Sequence, residues 1–330
     1  MKVLLLARRD LLVFPAGDTI QIQRTEEVLK DLGVTAKISL GPPQDLEEWD
    51  LVHLFNLMRI DEVRQLAGME PFLWARRPLV VTPFYWNRQG EAGYDERIWL
   101  QQNSWRRFLL QEARAILVSG WKEKELLERD FGNSAKIHIV PVGVQAGFFL
   151  PDPAPFYRAH GLEGFVFMAA RISREKNQLA LLRAMRGIPL PLVLAGPIND
   201  PFYLEQCFRE GQSKVFYLGH LPLAELAGAY AAARVHALPS RYEIPGLTSL
   251  EAAAAGCNVI STREGTAWEY LGDEAWYCEP GNLESIRAAL EKALAAPKSQ
   301  SLAERVHREF TWAEAGTRTL DVYHRVLGDC

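Results

Sequence analysis

The chain has no Asp-x-Asp pair in its 330 residues, so paired carboxylates for a divalent ion have no candidate. It has no Gly-x-Gly-x-x-Gly fingerprint and no Gly-x-x-x-x-Gly-Lys-Ser/Thr loop, which removes the commonest dinucleotide and P-loop sites. A Gly-x-Ser-x-Gly nucleophile elbow is missing, and with it one familiar serine-hydrolase layout. Cysteine is scarce. Cys207, Cys257, Cys278 and Cys330 stand far apart with no Cys-x-x-Cys, which argues against zinc and reads as reduced thiols. Positive charge is not in surplus: 37 Lys and Arg face 41 Asp and Glu, a net charge of −4, and that balance argues against a nucleic-acid partner. No Asn-x-Ser/Thr acceptor occurs. No apolar run approaches the roughly 18 residues of a membrane helix. The run at 3–7, closed by Arg8, Arg9 and Asp10, is too short for a signal-peptide core. A cytoplasmic protein is expected, with peripheral membrane attachment left open.

What is present is a globular composition, 48% hydrophobic and 24% charged. The length suits about two domains of roughly 150 residues. Short aliphatic runs alternate with amphipathic stretches. Strands are expected at 3–7, 51–55, 79–82, 115–119 and 137–140, then at 165–169, 190–194, 215–218, 235–238, 258–261 and 275–277. Helices are expected at 19–32, 103–112 and 121–131, then at 177–185, 222–232, 246–255, 266–271 and 283–295. This alternation implies an α/β protein of two doubly wound, Rossmann-like parallel sheets. The stretch from residue 144 on, VQAGFFLPDPAP, is proline-rich, lacks a helical period and reads as the linker. The expected domains are 1–147 and 148–311, with a last helix at 313–327 crossing back so that 312–330 completes the first. Two such sheets would face each other across a cleft at their strand C-terminal edges, where open α/β sheets bind ligands.

The segment 239–256 reads PSRYEIPGLTSLEAAAAG. A helix is expected to begin at Gly246 and Leu247, and the N–H groups of its first turn, through Thr248, have no partner within the helix. Together with the helix dipole they make an anion site that suits a diphosphate. Glu251, one to two turns in, can accept hydrogen bonds from a neutral diol such as a ribose. Glu243, at the mouth of the preceding loop, can accept them from sugar hydroxyls. The plainer alternative has Glu243 capping the helix and Glu251 facing water.

These residues carry a resemblance. Glu243 and Glu251, eight apart, with Pro239-Ser240 before them and Gly256 after, resemble the E-x7-E signature of glycosyltransferase family 4, retaining enzymes of the two-Rossmann-domain GT-B fold. Upstream, AARISREK ends on Arg171 and Lys176 in the spacing of the family's Arg-x4-Lys element. The resemblance implies a sugar nucleotide, a UDP- or GDP-sugar, as donor. Negative charge grows on its β-phosphate as the glycosidic bond breaks, and Arg171 and Lys176 would stabilise that charge more in the transition state than in the ground state. Arg171, Lys176 and Glu243 are thus the expected catalytic residues. Gly17, Gly246, Leu247, Thr248 and Glu251 are expected on the donor. The stretches LVLAGP, FYLGH and VPVGV also resemble family segments, and the likeness is most specific from about 165 to 281.

Some positions depart from the pattern. The first βα loop, Phe14 to Thr19, has one glycine, Gly17, where many relatives have two. Phe84 stands near the place where many relatives have a histidine, and His53 is the nearest substitute, with a plain core histidine as the alternative. The stretch 84–107 is dense in aromatics and arginines and offers Tyr85 and Trp86 to an acceptor or a membrane surface; packed aromatics are the alternative. Residues 1–147 hold 19 Lys and Arg against 20 Asp and Glu, which weakens the membrane reading.

The expected function is transfer of a hexosyl group from a nucleotide-sugar donor to an acceptor with retention of configuration, without a cofactor or metal. The acceptor (a saccharide, a lipid-linked sugar or a small molecule) is not named by the sequence. A catalytically inactive nucleotide-binding protein and a sugar-nucleotide epimerase on the same scaffold are the alternatives.

Overall fold

The computed structural model describes residues 1–13, 15–41, 45–58, 77–89, 95–132, 134–298 and 300–328. Phe14, Tyr94 and Cys330 lie outside them. The chain divides into unit 1, Met1–Gly143 with Trp312–Cys330, and unit 2, Val144–Thr311.

Unit 1 holds β1 (Lys2–Ala7), α1 (Gly17–Asp31), β2 (Thr35–Leu40), β3 (Leu51–Phe55), β4 (Leu79–Thr82), α2 (Glu96–Glu112), β5 (Ala115–Val118), α3 (Trp121–Phe131) and β6 (Ile137–Ile139). Its strands form one parallel sheet in the order β2-β1-β3-β4-β5-β6. β3, β4 and β5 are buried along their whole length, as strands covered on both faces must be. α1 ends as its sequence prescribes: the Gly33 N–H bonds Lys30 O and the Val34 N–H bonds Leu29 O, the paired closure of a helix stopped by glycine.

Two features of unit 1 differ from expectation. β2 was not anticipated; it is the sheet edge, only Ala36 of it is buried, and an edge strand with one thin apolar contact leaves little aliphatic signal. α2 begins seven residues earlier than the expected 103, because the Asp95 side chain accepts from the Arg97 N–H and caps it there.

Unit 2 holds α4 (Ala154–His160), β7 (Val166–Ala169), α5 (Gln178–Ala184), β8 (Leu192–Ala195), α6 (Pro201–Gly211), β9 (Val215–Tyr217), α7 (Leu223–Ala232), β10 (Val235–Ala237), α8 (Leu247–Ala254), β11 (Asn258–Thr262), α9 (Ala267–Leu271), β12 (Trp276–Cys278), α10 (Leu283–Ala295) and α11 (Ser301–Glu309). The parallel sheet runs β12-β11-β10-β7-β8-β9. Val166, Met168, Leu192, Leu194 and Ile260 from the strands pack with Leu181, Ile286 and Leu290 from the helices. α6 was not anticipated, although its signals are orthodox: Asp200 accepts from the Tyr203 N–H and Pro201 opens the helix.

The expected linker at 144–155 is instead part of unit 2. Val144 bridges Thr311, Phe148 is buried, the Phe149 ring stacks 4.2 Å from that of His307, and the Leu150 N–H donates to Ala254 O. Phe148 is buried and Phe149 half-buried, aromatic surface that a solvated linker would leave in water, and the division falls at 143/144.

The last helix, α12 (Trp312–Leu327), packs on α1 within unit 1. Gly316 permits the close approach: a Cβ there would stand 2.7 Å from Val28 Cγ2.

Candidate functional site

The order of the unit 2 sheet changes direction between β10 and β7. β7, first in sequence, is flanked by β10 on one side and β8 on the other. The loops that leave the C-terminal ends of these strands therefore diverge and open a crevice, the usual ligand position of such sheets. The loop after β7 carries Arg171 to Lys176, and the loop after β10 carries Pro239 to Gly246. The topology thus delivers both expected motifs to the same edge.

Hydrogen bonds stitch the loops together. The Arg241 N–H donates to Glu175 O at 3.0 Å. Asn177, with φ of 67°, spans between loops through Nδ2 to Pro239 O at 3.0 Å and Pro280 O at 2.8 Å. The Glu243 N–H donates to Glu264 O, and Glu243 O accepts from the Thr266 N–H, which ties the β10 loop to the one after β11. Gly265 makes that tie possible: at φ of 114° a side chain is disfavoured, and a Cβ would stand 2.0 Å from Glu243 O.

Lys176 and Glu243 meet directly, Nζ donating to Oε1 at 2.5 Å. This alters the expected picture of Glu243. It is not at an open mouth but buried at 4% exposure, because the bridge to Gly265 turns its side chain inward beneath the start of α8. One carboxyl oxygen is taken by lysine, so a donor sugar would meet a Lys–Glu pair rather than a lone carboxylate. Arg171 is half-buried, and among the described residues its guanidinium has no ion pair. Gln178 Nε2 holds its carbonyl at 2.8 Å.

α8 starts where expected. Gly246 precedes it with φ of 77°, and Gly246 O accepts from the Ser249 and Leu250 N–H groups. Among the described residues, the Leu247 and Thr248 N–H groups have no hydrogen-bond partner. The Leu247 side chain is buried, so its contribution to a ligand is confined to the backbone.

Glu251 is half-buried, with one carboxyl oxygen tied inward, rather than fully exposed as in the plainer alternative. Desolvation pushes its carboxyl up to about 8, opposed by a hydrogen bond from the Tyr230 hydroxyl to Oε2 at 3.1 Å. Tyr230 was missed in the sequence because nothing in a helix pattern says which side chain on a neighbouring helix it will reach. The buried hydroxyls of Ser173, Ser240 and Ser249 were missed as well; they lie on the same two loops and on α8, and have no hydrogen-bond partner among the described residues.

The expected unit 1 residues fare differently. His53 lies in the middle of β3, 1% exposed, with Nδ1 2.6 Å from Tyr323 Oη and Nε2 2.8 Å from Thr82 Oγ1. Burial depresses its pKa to about 3, so it is a neutral core histidine with both nitrogens engaged. Tyr85 is also core. Its hydroxyl donates to Asp130 at 2.7 Å, its N–H donates to Glu123, and its ring packs on Trp99 and Phe131. Neither side chain is placed to meet an acceptor. Trp86 is half-buried. Gly17 is the exposed first residue of α1, and the helix start beside it already has an anion. Asp18 accepts from the Thr19 N–H, pairs with Arg8 Nε at 2.8 Å and accepts from Asn56 Nδ2 at 2.7 Å.

The family described as glycosyl transferases group 1 matches residues 158–308, most of unit 2. The chain is 28% identical over 235 residues to the O-antigen chain mannosyltransferase B of Escherichia coli, covering 65% of this chain and 61% of that protein. It is 26% identical over 233 residues to the MMP alpha-(1->4)-mannosyltransferase of Mycolicibacterium hassiacum, covering 67% and 56%. The chain therefore spans less than two thirds of the length of these relatives. Among solved structures, sucrose-phosphate synthase from Thermosynechococcus elongatus superposes with a TM-score of 0.85 at 19% identity over 100% of both chains. HepE of Anabaena in complex with UDP and glucose superposes with a TM-score of 0.79 at 15% identity over 98% of this chain and 100% of its own. These likenesses show the fold, the GT-B arrangement of two Rossmann-like units.

Proposed function

We propose that the chain transfers a hexosyl group from a nucleoside-diphosphate sugar to an acceptor hydroxyl with retention of configuration. The observation that carries this reading is the convergence of Arg171, the Lys176–Glu243 pair and the free amides of Leu247 and Thr248 on the loops flanking the β7/β10 switch point. Arg171, Lys176 and those amides would hold the diphosphate, Glu243 the sugar and Glu251 the ribose. The bond from the anomeric carbon to the β-phosphate oxygen breaks, the acceptor oxygen takes its place on the same face, and the acceptor proton passes to the departing phosphate. Fixed cations and helix amides stabilise the charge that grows on that phosphate, so we assign no metal to the step. The family match over unit 2 and the mannosyltransferase relatives support a hexosyl donor. A UDP- or GDP-sugar is proposed, with acceptor recognition assigned to unit 1 on the resemblance.

The test is binding. UDP and GDP are titrated against the full chain by calorimetry and thermal shift, since a ligand of the folded state raises stability by RT ln(1 + [L]/Kd). One of the two should bind, and Arg171→Ala should weaken it without lowering the unfolding midpoint of the free protein. Absence of binding by both would leave a protein of this fold without the proposed activity.

A further inference from the structure

We propose that Tyr230 is a positioning residue for ribose recognition: its hydroxyl fixes one carboxyl oxygen of Glu251 and leaves the other turned to the ribose diol. The inference rests on the proposed role of Glu251 and goes beyond it by naming the group that aims the carboxyl.

Tyr230 lies on α7, one strand removed from α8 in sequence, and is fully buried. Its ring is enclosed by three others: Phe148 at 6.0 Å, Phe167 at 5.2 Å and His236 at 5.4 Å, with interplanar angles of 64°, 72° and 80°. Edge-on packing on several sides leaves the ring no second place to go. Its hydroxyl has a fixed address as a result, and the group at that address is Glu251 Oε2 at 3.1 Å. Burial holds the phenol proton far above its ordinary range, so the hydroxyl stays a donor at every working pH. The His236 imidazole, pushed by burial to about 3, stays neutral and supplies no cation to draw the carboxyl away.

The other oxygen, Oε1, has no hydrogen-bond partner among the described residues, and Glu251 is not closed off from water. A carboxyl tethered at one oxygen and free at the other suits a vicinal diol: it rotates little, and its free lone pairs keep one direction. A nucleotide lacking the ribose hydroxyls would leave that oxygen desolvated and unmatched, which disfavours it.

The experiment measures binding of UDP and GDP, each beside its 2′,3′-dideoxy form, to the wild-type chain and to the Glu251→Gln, Tyr230→Phe and doubly substituted chains. Tyr230→Phe keeps the ring and its packing, and Tyr230→Met is the second variant should the first not fold. We expect either tyrosine variant to weaken ribonucleotide binding roughly 5- to 30-fold and dideoxynucleotide binding less than 2-fold. The double variant should be no weaker than Glu251→Gln alone, because the tyrosine acts only through the glutamate. If Glu251→Gln discriminates ribose from dideoxyribose and Tyr230→Phe does not, the positioning role falls and the ribose role stands. If Glu251→Gln affects both nucleotides equally, the ribose role falls and the inference with it. Equal weakening of both nucleotides by the tyrosine variants would mark a purely structural residue and overturn the proposal.

Discussion

Removing the Lys176 ammonium should expose how the candidate site is held together. Its Nζ donates to Glu243 Oε1 at 2.5 Å, and the glutamate side chain is 5% exposed against 19% for the lysine. Lys176→Met keeps the aliphatic volume and strands a buried carboxylate. Breaking one partner of a buried pair costs about 3–5 kcal/mol. Water reaches the lysine end, which lowers the expectation to about 2–4 kcal/mol at pH 7.5. Glu243→Gln in the same background removes the stranded charge, so the doubly substituted chain should recover at least half of that loss. Urea unfolding of the wild-type, singly and doubly substituted chains at pH 7.5 measures both the loss and the recovery. A cost under about 0.5 kcal/mol, or no recovery in the doubly substituted chain, would refute a buried, coupled pair.

Three further predictions follow from particular contacts. Gly265→Ala should destabilise unit 2 by about 2–4 kcal/mol and abolish nucleotide binding, since its Cβ would overlap Glu243 O at 2.0 Å; calorimetry with UDP and GDP checks it, and a variant that binds normally would contradict it. Gly316→Ala should cost about 1–3 kcal/mol through its 2.7 Å approach to Val28 Cγ2, and Val28→Ala should relieve it, as thermal unfolding of the pair of variants would show. In unit 2, His236 at about 3 and Glu251 at about 8 act oppositely. The buried histidine loses stability as pH falls below its unfolded value near 6.5, and the buried acid loses it as pH rises from near 4.5 toward 8. The two cancel between about pH 4.5 and 6.5, and stability should fall by at most roughly 1.4 kcal/mol per pH unit from 6.5 to 8. Glu251→Gln should remove that alkaline fall, which hydrogen exchange of the β10 and β11 amides can follow; a fall that persists in the variant would contradict the assignment.

The strands covered on both faces were legible because parallel burial forces continuous aliphatic runs: LVHLF at β3 and LVVT at β4 could hardly be anything else. β2 was not, because an edge strand with one buried residue carries no such run. Residues 144–155 misled because Gly147 and the prolines at 151, 153 and 155 signal a linker, whereas Phe149 and Leu150 have distant partners in His307 and Ala254. At the site, the helix start at Gly246 and the approach of the two loops could be read from motif order on alternating elements. The orientation of side chains could not. Glu243 turns inward because Gly265, over twenty residues later, lets the loops touch, and Glu251 meets Tyr230 across helices. His53 and Tyr85 looked available only because single-sequence patterns do not show that Thr82, Tyr323, Glu123 and Asp130 already satisfy them.

Sugar transfer is proposed to run on the cations and helix start of unit 2. The most direct measurement is proton NMR of the full chain incubated with UDP- and GDP-hexoses and a set of simple alkyl hexosides. Nucleoside diphosphate should be released from one of these donors, the new anomeric centre of the product should keep the configuration of the donor, and both signals should be lost in Arg171→Ala. Inverted configuration in the product would contradict the proposed geometry of attack. Turnover undiminished in Arg171→Ala would contradict the assigned phosphate site.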